Sequence, residues 1–178
     1  MNLRIISGEF GRRQIKSPNR SSVHPMSERM RQALFNSLGD LHGKVILDAF
    51  AGSGAIGLEA VSRGAQHVTL IEKDRVVVNT LQENIDILKV DNRAHVVRAN
   101  VFGWAKKSAD KFDIIIADPP YDEVDVNKTV DKLKNHLNSS GIMVLSHSGS
   151  VEHPRVDGVV VVGTRSYANG TLTFYRSQ

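Results

Sequence analysis

Cysteine is absent from this 178-residue chain. That excludes disulfides, thiolate zinc sites, iron–sulfur clusters and any mechanism built on a cysteine nucleophile. A reducing, cytoplasmic compartment is the expectation that goes with it. Long apolar runs are missing too. The most apolar stretch, Val159 to Val162, is far too short to span a bilayer, and the opening Met1-Asn2-Leu3-Arg4 turns polar at once. Aromatic residues are sparse at 6%, but 40% of the chain is hydrophobic and 24% charged, which fits a filled core rather than a disordered tail. The expectation is a soluble monomer with no membrane contact, close to the size of one compact domain.

Charge is present but unevenly placed. The formal net is +4. Arg4, Arg12, Arg13, Lys16, Arg20, Arg29 and Arg31 face only Glu9 and Glu28 within residues 1–31, a local net of +5 that leaves the remainder at −1. A polyanionic partner explains such an arm, and so does a solubilising N-terminal segment.

Short alternating runs at Leu3–Ser7 and Arg12–Lys16, around Gly8-Glu9-Phe10-Gly11, predict a hairpin. A Ser/Pro/Asn-rich connector runs to Pro25. Ser27 is a plausible N-cap for a helix whose apolar face is Met30, Leu34 and Leu38 and which Gly39 stops. We divide the chain accordingly into residues 1–25, a basic hairpin extension and connector, and 26–178, the main domain. From Lys44 onward, strands are predicted at 45–47, 67–71, 95–97, 112–117 and 142–146, and helices at 55–63, 75–88, 101–106 and 124–137. Their alternation implies an α/β fold with a Rossmann-like, mostly parallel sheet. Two last strands, 156–162 and 171–175, flank Asn169-Gly170 and predict a C-terminal antiparallel hairpin.

Asp48-Ala49-Phe50-Ala51-Gly52-Ser53-Gly54-Ala55-Ile56-Gly57 follows the first parallel strand and opens a helix. Gly52, Gly54 and Gly57 satisfy G-x-G-x-x-G, and Glu72 lies twenty residues past Gly52, a spacing that passes for a dinucleotide fingerprint. Asp48 argues otherwise, because a pyrophosphate there would meet a carboxylate. S-adenosylmethionine carries a sulfonium and an ammonium and no phosphate. The residues read as Asp48 near its methionine end, Phe50, Gly52 and Gly54 along it, and Glu72 on the ribose. Asn100, after the third parallel strand, is either an adenine contact or a helix cap.

Asp118-Pro119-Pro120-Tyr121 ends the fourth parallel strand and should face the same crevice as Asp48. Two prolines fix the backbone and leave carbonyls free to accept. A carboxylate, the Pro119 carbonyl and an aromatic ring together suit a planar base with an exocyclic amine: two acceptors for its N–H groups and Tyr121 to stack on it. A strand-ending turn is the plainer alternative. Covalent ring-carbon methylation needs a cysteine, which is missing. The seven histidines are scattered without metal-ligand spacing, so no metal is expected; His147, after the fifth strand, is placed to approach the cleft.

The glycine loop, Asp-Pro-Pro-Tyr and the strand–helix order resemble class I methyltransferases acting on nucleobase amino groups. Arg4-Ile5-Ile6-Ser7-Gly8, Gly11-Arg12-Arg13-Gln14-Ile15 and Ser27-Glu28-Arg29-Met30-Arg31-Gln32-Ala33-Leu34-Phe35-Asn36 narrow the resemblance to the bacterial 16S ribosomal RNA guanine-N2 methyltransferases, from Arg4 to Tyr175. The resemblance implies that Asp118, Pro119 and Tyr121 hold the guanine amine and that Asp48, Phe50, Gly52, Gly54, Glu72 and Asn100 hold the cofactor. It further implies that Arg4, Arg12, Arg13, Lys16, Arg29 and Arg31 meet 16S ribosomal RNA, within an assembled or partly assembled small subunit. His24 stands where the family's usual pattern has arginine. Arg29 and Arg31 could meet the cofactor carboxylate or a phosphate, or form a solvated helix face. Three other readings stay open: adenine-N6 methylation of RNA or DNA, an NAD-dependent oxidoreductase, and a silent RNA-binding module.

Overall fold

Strand and helix periodicities alternate through the middle of the chain, and the elements they generate stack as three layers. The computed structural model describes residues 3–18, 26–121, 123–149, 153–168 and 170–178. The predicted Asn169 turn residue, Arg20 and His24 lie outside them. Five parallel strands form the centre: β3 (Val45–Asp48), β4 (His67–Glu72), β5 (Ala94–Arg98), β6 (Phe112–Ala117) and β7 (Leu137–His147). Two antiparallel strands, β8 (Val159–Tyr167) and β9 (Gly170–Ser177), complete a seven-stranded sheet in the order β5-β4-β3-β6-β7-β9-β8. A separate pair, β1 (Leu3–Arg4) and β2 (Gln14–Ile15), forms a small N-terminal hairpin. The expected α/β architecture, parallel with a C-terminal hairpin, is the one observed.

Alternation along the strands assigns their side chains to two cores. Ile46, Leu70, Ile114, Ile116, Val144, Leu172 and Phe174 pack with the N-terminal hairpin and with α1 (Glu28–Leu38), α2 (Ala55–Ser62) and α3 (Arg75–Leu88). Leu47, Ile71, Ile115, Met143, Leu145 and Tyr175 face the other way, toward α4 (Val101–Lys107) and α5 (Val126–Leu133). On α3, Val77, Leu81, Ile85 and Leu88 are buried at helical spacing, worth about 2 kcal/mol each in area removed from water. Successive connections leave β3 in one direction and β6 in the other, so the strand order reverses between these neighbours, where a crevice opens beyond their carboxyl ends.

Several predicted boundaries move. The helix predicted over 124–137 stops at Leu133. Asp125 caps its start by accepting from the Asn127 and Lys128 amides, and residues 134–136 tighten into a 3-10 turn. Buried His136 braces that turn, its ring nitrogens lying 2.9 and 3.1 Å from the Asp110 and Ala105 carbonyls. Leu137 therefore already pairs with Phe112, five residues before the strand expected at Ile142. A bulge over 138–141 intervenes, tied down where Asn138 Nδ2 donates to Asp113 Oδ1 at 2.9 Å. The strand predicted over 156–162 becomes Val159–Tyr167 because pairing with β9 persists to Tyr167–Gly170, past a bulge at Gly163.

The hairpin strands are shorter than predicted, two residues each, because the loop between them spends its amides on α2. The Ile6 and Ser7 N–H groups donate to the wholly buried Glu59 carboxylate, at 2.6 and 3.1 Å, and Arg63 Nε donates to it at 2.7 Å. Glu9 N donates to the Ser62 carbonyl and Phe10 N to the Ser62 hydroxyl, at 2.7 and 2.9 Å. Ser62 is the last residue of α2, so the hairpin loop satisfies a carbonyl the helix leaves free. Leu3, Ile5, Phe10 and Ile15 enter the same core as α1 and α2.

Glu59→Ala should cost about 3 kcal/mol of unfolding free energy in urea titrations, since it leaves the Arg63 charge and two part-buried amides unpaired. A loss under about 1 kcal/mol would contradict this clamp.

Candidate active site

The carboxyl ends of β3, β4, β6 and β7 bring Asp48, Glu72, Asp118 and Ser146 to one rim of the sheet. Asp48 is wholly buried at the end of β3. Its Oδ2 accepts the Gly57 N–H of the first turn of α2 at 2.9 Å, whereas Oδ1 has no hydrogen-bond partner. Gly57 is required by closeness: a Cβ there would lie 2.6 Å from Leu70 and 3.2 Å from Asp48 Oδ2. Gly54 turns the loop into α2 with φ +82°, a left-handed conformation that favours glycine. Glu72 at the end of β4 accepts from Gly52 N at 3.1 Å with one oxygen and from Asp74 N at 2.8 Å with the other.

These contacts decide between ligand classes. A dinucleotide fold offers its loop and helix N-terminal amides to a pyrophosphate. Here two of those amides, Gly52 and Gly57, already donate to carboxylates, so a phosphate arriving there would meet negative charge. The loop is built for a ligand without phosphate, and the unpartnered Asp48 oxygen suits a cation or a hydroxyl donor. Burial pushes the Asp48 carboxyl up to about 7; Asp118 and Glu72 push the same way, against the Gly57 and Phe50 amides. Phe50 itself is half-buried against the second core.

Asp118 follows β6 and lies next to Asp48 across the switch point, the Ala49 N–H donating to the Ile116 carbonyl at 2.9 Å. Its residue is partly exposed at the crevice floor, while burial of its carboxyl group pushes it up to about 6, with the Ser146 hydroxyl acting the other way. Pro119 is buried and Pro120 exposed. Tyr121 is half-buried, and its hydroxyl lies 2.7 Å from Ser146 Oγ. Burial raises the phenol above its usual range.

Asn100 caps α4: its Oδ1 accepts from Phe102 N and Gly103 N at 3.0 and 3.3 Å. A concavity of about 470 Å³ lies beside it along α4, lined by Ala99, Gly103, Trp104, Lys107 and Ser108. Asn100 lines that hollow, which does not reach Asp48 or Asp118. His147 is buried and turned away from the crevice, with Nε2 on Thr173 Oγ1 at 2.9 Å and Nδ1 on the Ser148 carbonyl.

The basic residues expected to meet RNA separate into three kinds. Arg12, Arg13 and Arg29 are exposed and form no ion pair among the described residues, Arg13 lying 5.4 Å over the Phe10 ring. Arg4 pairs with Glu28 at 2.9 Å and Lys16 with Glu83 at 2.8 Å, both at the surface. Arg31 is wholly buried: Nη2 donates to the Arg4 carbonyl at 2.6 Å, and Nε and Nη1 have no partner. A solvated face or an RNA contact at Arg31 is thus corrected by packing, because the hairpin lies over it. Ser146 went unnoticed in the sequence. Its only signal there is position, a hydroxyl ending the apolar run Met143-Val144-Leu145 beside the Asp-Pro-Pro-Tyr strand.

Comparison with known proteins gives a family. A family model described as Conserved hypothetical protein 95 matches residues 3–176. A curated protein of Buchnera aphidicola, named Ribosomal RNA small subunit methyltransferase D, is 39% identical over 74% of this chain and 69% of its own length. The protein of the same name in Escherichia coli K12 is 37% identical over 75% and 68%. A solved Escherichia coli structure, provisionally described as a methyltransferase, superposes with a TM-score of 0.89 at 29% identity, over 100% of this chain and 99% of that one. By these likenesses the chain belongs to the ribosomal RNA small subunit methyltransferase D family.

Proposed function

We propose that this protein transfers a methyl group from S-adenosylmethionine to the exocyclic N2 amine of a guanine in 16S ribosomal RNA. The observation that carries the reading is the pair of carboxylates at the switch point, Asp48 and Asp118, with the Gly52 and Gly57 amides already taken by carboxylates. The names of the relatives, small-subunit ribosomal RNA methyltransferases, support the same substrate class.

The cofactor fits the residues present, because an unpartnered buried Asp48 oxygen and a loop closed to phosphate both favour a cationic, phosphate-free ligand. Asp48 would hold its methionine end, Phe50, Gly52 and Gly54 its length, Glu72 its ribose, and Asn100 its adenine edge. Bound there, it supplies an electrophilic methyl on a positively charged sulfur. The chain's own residues prepare the nucleophile. An aromatic amine is a poor one, since its lone pair is delocalised into the ring. Asp118 and the Pro119 carbonyl accept its two N–H groups and favour a nitrogen whose lone pair projects from the base plane. Tyr121 stacks on the base and fixes its orientation. At neutral pH the Asp118 carboxyl, pushed up only to about 6, is mostly ionised and able to accept. The amine's spare proton leaves after transfer, to Asp118 or to water.

A target base must leave its stack to reach the crevice floor. Arg12, Arg13 and Arg29 form the phosphate-facing side, with Arg4 and Lys16 available once their surface pairs open. The substrate is an assembled or partly assembled small subunit, and the enzyme works as a cytoplasmic monomer.

Asp118→Ala should lower labelled-methyl incorporation into small subunits lacking the modification by about a hundredfold to a thousandfold, with RNA affinity retained. Unchanged incorporation would favour a silent binding module. Raising pH from about 6 to about 8 should tighten calorimetric binding of S-adenosylmethionine, because Asp48, protonated below about 7, attracts a cation only when ionised. Asp48→Asn should weaken that binding and flatten its pH dependence; an equal pH response in both proteins would refute the assignment. Arg12→Ala with Arg13→Ala should reduce the slope of log affinity against log salt for ribosomal RNA by roughly 1.5. An unaltered slope would remove these arginines from the interface.

A further inference from the structure

The Tyr121 ring stands in the turn after β6, and what holds its far end belongs to two other strands. Its hydroxyl lies 2.7 Å from Ser146 Oγ. Ser146 is 1% exposed and sits on β7 opposite Leu172 of β9. A hydroxyl buried so completely needs a partner, and the phenol supplies one. The other side of the phenol tip is bare backbone. Gly170 opens β9, and a Cβ built on it would overlap the Tyr121 hydroxyl and come 3.1 Å from both Tyr121 Cζ and the His147 carbonyl. The phenol tip therefore takes the room that a side chain at position 170 would need. The Gly170 φ of +153° is a second, separate reason for glycine there.

We propose that Gly170 is a positioning residue of the amine site: its missing side chain admits the Tyr121 phenol to a slot between β7 and β9, where Ser146 anchors it. The inference rests on the methyl-transfer reading above, in which Tyr121 orients the target base. A ring orients a base only if the ring itself is held. Pro119 and Pro120 fix the backbone that leads to Tyr121, but its side chain still turns about two bonds. A hydrogen bond at the hydroxyl and a wall beside it remove that freedom. A methyl group at position 170 must push the phenol tip away from β9, and with it the surface offered to the base. The C-terminal hairpin thus serves the crevice as the back wall of the stacking ring.

Four variants of the whole protein test this: Gly170→Ala, Ser146→Ala, Tyr121→Phe, and Gly170→Ala combined with Tyr121→Phe. Carbon-13 NMR of protein labelled at tyrosine Cζ reads the ring itself. The chain has three tyrosines, and the Tyr121 line is assigned by its loss in Tyr121→Phe. Ser146→Ala and Gly170→Ala should each shift that line. Steady-state assays on small subunits lacking the modification read the consequence. Gly170→Ala should lower kcat by about tenfold to a hundredfold, while KM for S-adenosylmethionine stays within about twofold. Tyr121→Phe keeps the ring and removes the overlapping oxygen, so the double variant should reach a kcat within about twofold of Tyr121→Phe alone. Backbone strain at position 170 is not relieved by a change at Tyr121. A double variant as slow as Gly170→Ala, or slower, therefore overturns the proposal. So does a Tyr121 line that stays in place in Gly170→Ala or in Ser146→Ala. Should Gly170→Ala fail to fold, the double variant must fold, and its failure also overturns the proposal. A wild-type protein that methylates no ribosomal RNA would instead sink the functional reading, and the NMR lines would still decide how Tyr121 is held.

Discussion

Two carboxylates, Asp48 and Asp118, are held at the floor of one crevice without a cation beside them among the described residues, and the rest of the site follows from that constraint. A buried acid with a raised midpoint is protonated in the folded chain where the unfolded chain is already ionised. Between about pH 4 and about pH 7 the folded state therefore binds more protons, and stability falls as pH rises through that window. The cost at neutral pH is on the order of a few kcal/mol. A fold that tolerates such a cost gains a place where a cation is bound tightly. The same charges close the glycine loop to phosphate, since Asp48 and Glu72 take the Gly57 and Gly52 amides.

The N-terminal hairpin is part of the folded body. Its apolar residues lie in the core with α1 and α2, and its amides are bound by Glu59 and Ser62, so it is seated on the fold rather than trailing from it. What remains outside is a short turn carrying Arg12 and Arg13, with Arg29 of α1 also exposed. A rigid basic edge loses little entropy when it meets a phosphate backbone. The +5 excess of the first 31 residues is thereby reduced to a few free charges, because Arg4 and Lys16 are paired and Arg31 is buried.

Most of the architecture was legible because parallel strands buried on both faces write themselves as apolar runs, as Phe112–Ala117 does, and because Gly39 and Gly64 mark the ends of α1 and α2. The Asp48 loop and Asp118-Pro119-Pro120-Tyr121 were legible because each ends a strand, which puts both at one rim. What could not be read depended on partners distant in sequence. Leu137 joins a strand because His136, bound to carbonyls of residues 105 and 110, ends the helix before it. Arg31 resembles any charged helix residue until the Arg4 backbone closes over it. Ser146 has no local pattern at all, and its meaning comes from Tyr121, in the turn after β6. Asn100 left two possibilities in the sequence, and its oxygen is engaged as a helix cap.

The central claim is that this carboxylate floor, with a proline-fixed carbonyl and a tyrosine ring, directs a methyl group to the N2 amine of guanine. Nucleoside mass spectrometry of small subunits lacking the modification, digested after incubation with the protein and S-adenosylmethionine, tests it most directly. The account predicts N2-methylguanosine at a single position of 16S ribosomal RNA. N6-methyladenosine without N2-methylguanosine, or a methyl group on a ring carbon, would contradict it.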